Sequence, residues 1–377
     1  MKIGILTLPL HTNYGGILQA YALQTILERM GHEVVVFDKP MLIELPPIGK
    51  RLIIYTKRII KKMLGMYSGY ILISTPNNRT RIERKYTQQF IDKYIHRYII
   101  RKLSEIHQND IDAIVVGSDQ VWRAYYFRGF WSADMTSAFL GFCEDRIKRI
   151  SYAASFGTDT WEFDEEETKK CTELIKQFNG VSAREKSGVE LCSSYLGYDK
   201  CKHVLDPTML LNKDNYIQLF KSANAPHSEG DMLCYILDED DEKANFFDHL
   251  SKEMNLKPFR VNSEVENPNA PIEKRCQPPV EKWLRGFYDA NIVLTDSFHA
   301  CVFSILFNKP FLAFGNEKRG MSRFTSILEV FGLEKCLITS LNDFSPEILN
   351  IDWQNVNRIL AEKRSECLRY LQYSIDK

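Results

Sequence analysis

IGILTLPLHTNYGGILQAYALQTILERMGHEVVVFD, residues 3–38, is the stretch that decides the fold. Residues 3–8 form a short apolar run of strand length. Leu18, Ala22, Leu23, Ile26, Leu27 and Met30 then recur at helical spacing, and Gly31 stops that helix before the second apolar run, HEVVVFD. Strand, glycine turn, helix and strand in about 35 residues make the opening unit of a parallel, doubly wound sheet, because parallel strands need a crossover and the helix supplies it. Between the first strand and the helix lies Asn13-Tyr14-Gly15-Gly16. Glycines there let a ligand approach the backbone, and the helix start offers N–H donors to an anion. A tight turn that needs glycine for its own geometry explains the same residues. The GxGxxG pattern of a dinucleotide site is absent, and Asp38, although at a ribose-binding distance, does not establish one.

Outward from this unit, Pro40, Pro46 and Pro47 interrupt the pattern, and KRLIIYTKRIIKKMLGMYSGYILI follows at 50–73. We read a basic helical insertion near 45–105. Its segment 50–62 is an amphipathic helix whose plainer reading is a solvated charged face with the isoleucines packed on the protein; such helices also lie on anionic lipid. The main sheet resumes with DIDAIVVGSDQVW at 110–122, RISYAASFG at 149–157 and GVSAREKSG at 180–188. Each is an apolar strand whose carboxyl end delivers small, polar or charged residues, the edge at which open α/β sheets bind ligands. After HVLDPTMLL (203–211) the chain restarts with MLCYIL (232–237) and reaches its clearest unit, a strand at 291–295, a helix from Phe298 to Phe307 and a strand at 310–314. The expected organisation is therefore two α/β domains, 1–205 and 206–377, with the helical segments 352–374 free to pack back on the first.

Bulk composition agrees with two cores, at 377 residues and 44% hydrophobic content. No uncharged apolar run of about 18 residues occurs and the start lacks a secretory pattern, so a cytoplasmic location is expected. Nine cysteines without CxxC or metal-ligand spacing read as reduced, mostly buried thiols. The net charge is zero but uneven. Residues 1–110 carry 17 Lys and Arg against 8 Asp and Glu, so the first part is +9 and the remainder −9. That distribution argues against nucleic-acid binding and leaves one basic surface for an anionic partner.

Three strand ends carry chemistry. Ser118 and Asp119, after the strand 113–116, suit sugar hydroxyls, and equally suit a turn held by their own hydrogen bonds. Arg184 is a planar, permanent cation suited to bidentate capture of a carboxylate or phosphate, or else half of a surface ion pair with Glu185 or Glu190. His299 stands in the first turn of a helix after a strand, placed to reach a cleft and able to titrate near neutrality, while Asp296 or Ser297 would cap that helix.

NYGGILQAYAL (13–23), VVGSDQVW (115–122), SYAASFG (151–157), SAREKSG (182–188), LDPTMLL (205–211) and TDSFHACVFSILFNKPFLAF (295–314), in this order, resemble the polysaccharide pyruvyl transferase family. The resemblance implies two Rossmann-like domains facing across a cleft, as in GT-B glycosyltransferases, and transfer of the enolpyruvyl unit of phosphoenolpyruvate onto sugar hydroxyls as a ketal. It implies Arg184 and His299 as catalytic and donor-binding residues, with Ser297 and Lys318 as further donor contacts. Asn13, Gly15, Gly16, Ser118 and Asp119 are then acceptor or anion contacts. Phosphoenolpyruvate is a co-substrate, and neither a cofactor nor a metal is called for. The acceptor is a polysaccharide sugar or its lipid-linked precursor, and the 50–62 helix would then hold the protein at an anionic membrane. Two rivals stand beside this reading: a glycosyltransferase using a nucleotide sugar, and a non-catalytic sugar- or anion-binding protein of the same fold.

Overall fold

The opening unit forms as read. In the computed structural model, β1 (Lys2–Leu6) pairs in parallel with β2 (Glu33–Asp38), Ile3 opposite Val34 and Ile5 opposite Val36, across the helix α1 (Tyr14–Arg29). The structure describes residues 1–40, 46–67, 71–72, 76–267, 269–315, 320–340 and 343–377, with backbone only for 76–78. With β3 (Arg97–Ile99), β4 (Ala113–Val116) and β5 (Lys148–Ser151), the first sheet has the order β3-β2-β1-β4-β5, all parallel. Two short strands, β6 (Ser182–Ala183) and β7 (Lys202–His203), extend the β5 edge through bridges at Ile150–Gly180 and Ala154–Ala183. The second sheet, also parallel, joins β8 (Met232–Tyr235), β9 (Pro258–Phe259), β10 (Ile292–Thr295), β11 (Phe311–Phe314) and β12 (Leu337–Ile338) in the order β12-β11-β10-β8-β9. These are the two Rossmann-like domains of a GT-B-like fold.

Strands buried on both faces are continuous apolar runs rather than alternations, as AIVV in β4 and FLAF in β11 show. Along β4, Ala113 and Val115 join one apolar cluster and Ile114 and Val116 the other. The first of these clusters continues through Tyr216 and Trp283 into the second sheet, so the two domains share apolar packing.

Three local expectations are corrected. Helix α1 begins at Tyr14, so Gly15 and Gly16 lie in its first turn, because the Asn13 side chain accepts from the Gly16 N–H at 3.2 Å and caps the helix there. The insertion is helical in α2 (Ile48–Met63), α3 (Pro76–Glu83) and α4 (Lys85–Tyr94), but its later part returns to the sheet as β3, whose Tyr98 pairs with Phe37. Finally, α2 buries none of its residues, and Ile48, Ile53, Ile59 and Ile60 are exposed rather than packed on the protein.

The helix Trp353–Asp376 packs back on the first domain. Lys148 Nζ donates to the Ile375 carbonyl at 2.7 Å and the Tyr370 hydroxyl to Ser151 O at 3.3 Å. A Cβ on Gly180 would fall 2.1 Å from Ser374 Oγ, so glycine admits the helix there. Leu371 is fully buried in this contact. Replacing Leu371 by Ala should therefore lower unfolding stability by about 2–5 kcal/mol, measured by chemical denaturation. A loss under about 1 kcal/mol would mean that the helix is not part of the cooperative fold.

Candidate functional site

In an open α/β sheet the strand order reverses at one point, and the loops leaving the carboxyl ends on either side diverge to form a crevice. Here the reversal lies between β1 and β4 in the first sheet and between β8 and β10 in the second. Loops from all four strands line one cavity of ≈ 1160 Å³ between the domains, represented by His11, Asp119, Leu237 and Ser297. The first turns of three helices also line it: Gly15 and Gly16 of α1, His299 of the helix Phe298–Leu306, and Arg323 of the helix Met321–Phe331. Each helix start carries roughly half a positive charge and unpaired N–H groups. Neither Ser297 nor Gly320 supplies a side-chain cap to its helix. The wall toward β8 and β9 is rich in acids and amides instead, with Asp238, Glu239, Asn262 and Glu264 beside Arg260, which pairs with Glu239.

His299 meets α1 at very short range. A Cβ built on Gly15 would lie 2.0 Å from His299 Nδ1, so only glycine lets the two domains close to this distance. The other ring nitrogen, Nε2, stands 3.6 Å from Asp206 Oδ2, ion-pairing distance for a protonated imidazole, and has no hydrogen-bond partner among the described residues.

Asp206 is fully buried. Its Oδ1 accepts from the Thr208 N–H at 3.0 Å and hydroxyl at 2.7 Å, and its Oδ2 from Arg184 Nη1 at 2.9 Å. Burial alone would raise its pKa. His299, Arg184 and the Thr208 hydroxyl outweigh that effect and hold the carboxyl well below the ordinary range. Arg184 is 4% exposed, donates from Nε to Glu185 Oε1 at 3.1 Å and stacks over Phe298 at 4.4 Å. Burial works against its charge, but Glu185, Asp206 and Asp119 more than offset it and raise the pKa. For Arg323 burial prevails, with Arg184 adding to it, and the guanidinium is pushed down to about 10.

The structure thus sorts the residues singled out in the sequence. Asn13, Gly15, Gly16, Asp119, Ser297 and His299 reach the cavity. Arg184 does not: its surface pairing with Glu190 is replaced by a buried pairing with Asp206 and Glu185, one layer behind the wall. Ser118 is also behind the wall, fully buried, its hydroxyl donating to Ala153 O at 2.9 Å and its N–H to Gln19 Oε1 at 2.8 Å. Asp296 does not cap its helix; it accepts from the N–H groups of Leu237 at 2.7 Å and Asp238 at 3.0 Å and so ties the β8 loop to the β10 loop. Lys318 lies outside the described residues. Asp206 and Arg323 escaped notice, although a lone carboxylate inside the apolar run VLDPTMLL was a visible signal for the first.

A family model described as polysaccharide pyruvyl transferase matches residues 13–318. No curated protein matches the chain. Similar solved structures include the UDP-GlcNAc 2-epimerase from Neisseria meningitidis bound to UDP-GlcNAc, at 12% identity and a TM-score of 0.43 over 97% of this chain and 100% of that one. A UDP-GlcNAc 2-epimerase from Methanocaldococcus jannaschii aligns at 12% identity and a TM-score of 0.45, over 99% and 100%. The E. coli heptosyltransferase WaaC with ADP aligns at 11% and 0.37, over 96% and 100%.

Asp206 gives the site a pH signature. Above the ordinary Asp range near 3.9 the carboxylate is ionised in both states and its stabilisation is complete. As pH falls below that range the unfolded chain takes up the proton first, and the stabilisation shrinks until the folded carboxyl protonates too. Asp206→Asn should cost about 3–5 kcal/mol near neutral pH by removing the buried charge that Arg184 Nη1 faces. Denaturation at a series of pH values checks this: the variant should lose less stability than wild type between about pH 4 and pH 2. Parallel curves would remove Asp206 from that role.

Proposed function

We propose, from the premise that the chain belongs to the polysaccharide pyruvyl transferase family, that it transfers the enolpyruvyl unit of phosphoenolpyruvate to two hydroxyls of a polysaccharide sugar or its lipid-linked precursor. The observation that carries this reading is the convergence of three helix starts, His299 and Arg323 at one end of the cavity, facing a wall of acids and amides at the other. The first end suits a small donor with a carboxylate and a phosphate. The second suits sugar hydroxyls, which donate to carboxylates such as Asp238 and to Asn262.

In the proposed reaction C3 of the enol gains a proton while a sugar hydroxyl attacks C2. The C2–phosphate bond then breaks, inorganic phosphate leaves, and a neighbouring hydroxyl adds to C2, losing its own proton as the ketal closes. His299 gives the proton to C3 or takes one from a hydroxyl, a role typically worth ~10²–10⁴ in rate. Arg323 and the N–H groups of the helix starts at Phe298 and Met321 meet the charge gathering on the phosphate. Asp119, on the cavity wall beside Gly16, is placed to accept from a sugar hydroxyl. Arg184 acts through Asp206, which it holds opposite His299 Nε2. Phosphoenolpyruvate is the one co-substrate of the scheme.

Thermal-shift titration tests the donor. Phosphoenolpyruvate should raise Tm, by an amount equivalent to about 2.7 kcal/mol at a hundredfold excess over Kd, and Arg323→Ala and His299→Ala should each suppress the shift. Stabilisation by UDP or GDP and not by phosphoenolpyruvate would replace this reading with nucleotide-sugar transfer. Gly15→Ala provides an independent check, since its methyl must displace the His299 ring. Phosphate release from phosphoenolpyruvate in the presence of an acceptor should fall about 10²-fold while the variant stays folded.

A further inference from the structure

We infer that α2 is an in-plane membrane anchor that seats the chain on an anionic phospholipid surface. At 100° per residue the cations Lys50, Arg51, Lys57, Arg58, Lys61 and Lys62 fall on one side of this helix. Ile48, Leu52, Ile53, Ile59, Ile60 and Met63 fall on the other, and all six are exposed, from 42% for Ile59 to 83% for Met63. Leu64 and Met66 continue the apolar surface beyond the last turn, at 66% and 71%.

The direction of this face follows from what is half-buried. Arg51, Ile54, Tyr55 and Arg58 alone in α2 are partly covered, and they share one narrow side, where Arg51 donates to Pro46 O and Arg58 lies over the Tyr67 ring, so the apolar arc is left uncovered. An exposed apolar stripe of this length calls for an occupant. Charge selects it. Between residues 46 and 82 the sequence has eight Lys and Arg and not one Asp or Glu. A second copy docked by the same face would bring like charges together. An anionic bilayer takes the apolar arc into the headgroup boundary and lets Lys57 and Lys62, at the two edges of the arc, reach lipid phosphates by their long stems. With 16 residues α2 is too short to span a membrane, and no helix among the described residues is long and apolar enough to do so.

The insertion that carries α2 is rooted at the cavity rim. The insertion leaves the sheet after Asp38, whose carboxylate accepts from the Leu10 N–H at 3.0 Å, and returns through Arg84, which donates to Leu10 O at 2.8 Å. Leu10 lines the cavity. Seating α2 on a bilayer holds the chain at the lipid surface and, on the proposed function, favours an acceptor that is itself held in the membrane.

The test uses the full chain with two kinds of vesicle, phosphatidylcholine alone and an equal mixture with phosphatidylglycerol. Cosedimentation at low salt should be at least about tenfold stronger with the anionic vesicles and should weaken as salt is added. Ile53→Glu/Ile60→Glu and, separately, Lys57→Glu/Lys61→Glu should each reduce it about tenfold or more, while leaving the thermal response to phosphoenolpyruvate unchanged, because α2 buries nothing. Three results would overturn the proposal: no vesicle binding by wild type, vesicle binding that both variants retain, or a dimer that the Ile53→Glu/Ile60→Glu chain loses in place of vesicle binding. A chain that binds vesicles but gives no response to phosphoenolpyruvate would keep the anchor and remove the donor assignment.

Discussion

A single buried carboxylate, Asp206, orders the site. An ion of this kind loses its hydration on folding, a cost of several kcal/mol that only close, well-directed partners offset. Asp206 draws those partners from separate parts of the chain: Arg184 from the end of β6, Thr208 from its own turn, and His299 from the second domain. Each must arrive in place for the carboxylate to be tolerated, so the electrostatic demand also fixes the position of the imidazole. Glu185 extends the arrangement, accepting from Ser155 at 2.7 Å as well as from Arg184, and thereby ties the β5 loop to the β6 loop.

The two sheets then face each other with their points of strand reversal toward one cavity. Strand order alone would place loops there, but it would not give them a common geometry. That comes from contacts between the halves: Tyr14 donates to Pro278 O at 2.8 Å, Gln277 Nε2 to Thr12 O at 3.2 Å, and Arg275 pairs with Glu83 at 2.6 Å. All three lie around the start of α1, where Gly15 admits His299.

Much of this was legible in the sequence where one physical signal dominated. Residues 3–38 specify β1-α1-β2, and the strand-helix-strand unit from 291 to 314 falls within a residue or two of β10 and β11, because apolar period and glycine placement point the same way. Signals that compete were read less well. Gly15 and Gly16 looked like a turn because glycine disfavours helix interiors, yet the Asn13 cap carries the helix start past them. The edge strand β3 has only three residues, too few to show a period. In the site, local sequence located His299 and Asp119 by their place at strand ends. It could not show that Arg184 would turn inward, since Asp206 lies 22 positions away and only the fold brings them together. Nor did any period distinguish the isoleucines of α2 from those of a packed helix; whether such a face is covered depends on what lies opposite it.

The helix Trp353–Asp376 closes against β5, with the Tyr370 hydroxyl on Ser151 O, 219 positions earlier in the chain. Synthesis at about 5–20 residues per second separates those two residues by roughly 10–40 s. During that interval a nascent first domain has its sheet but not this cover, and the apolar side chains that will meet Leu371 and Ile375 face the cellular milieu. The order of the parts along the chain thus sets a period of vulnerability during biosynthesis, in which a holdase or the shelter of the ribosome would matter more to yield than the stability of the finished protein.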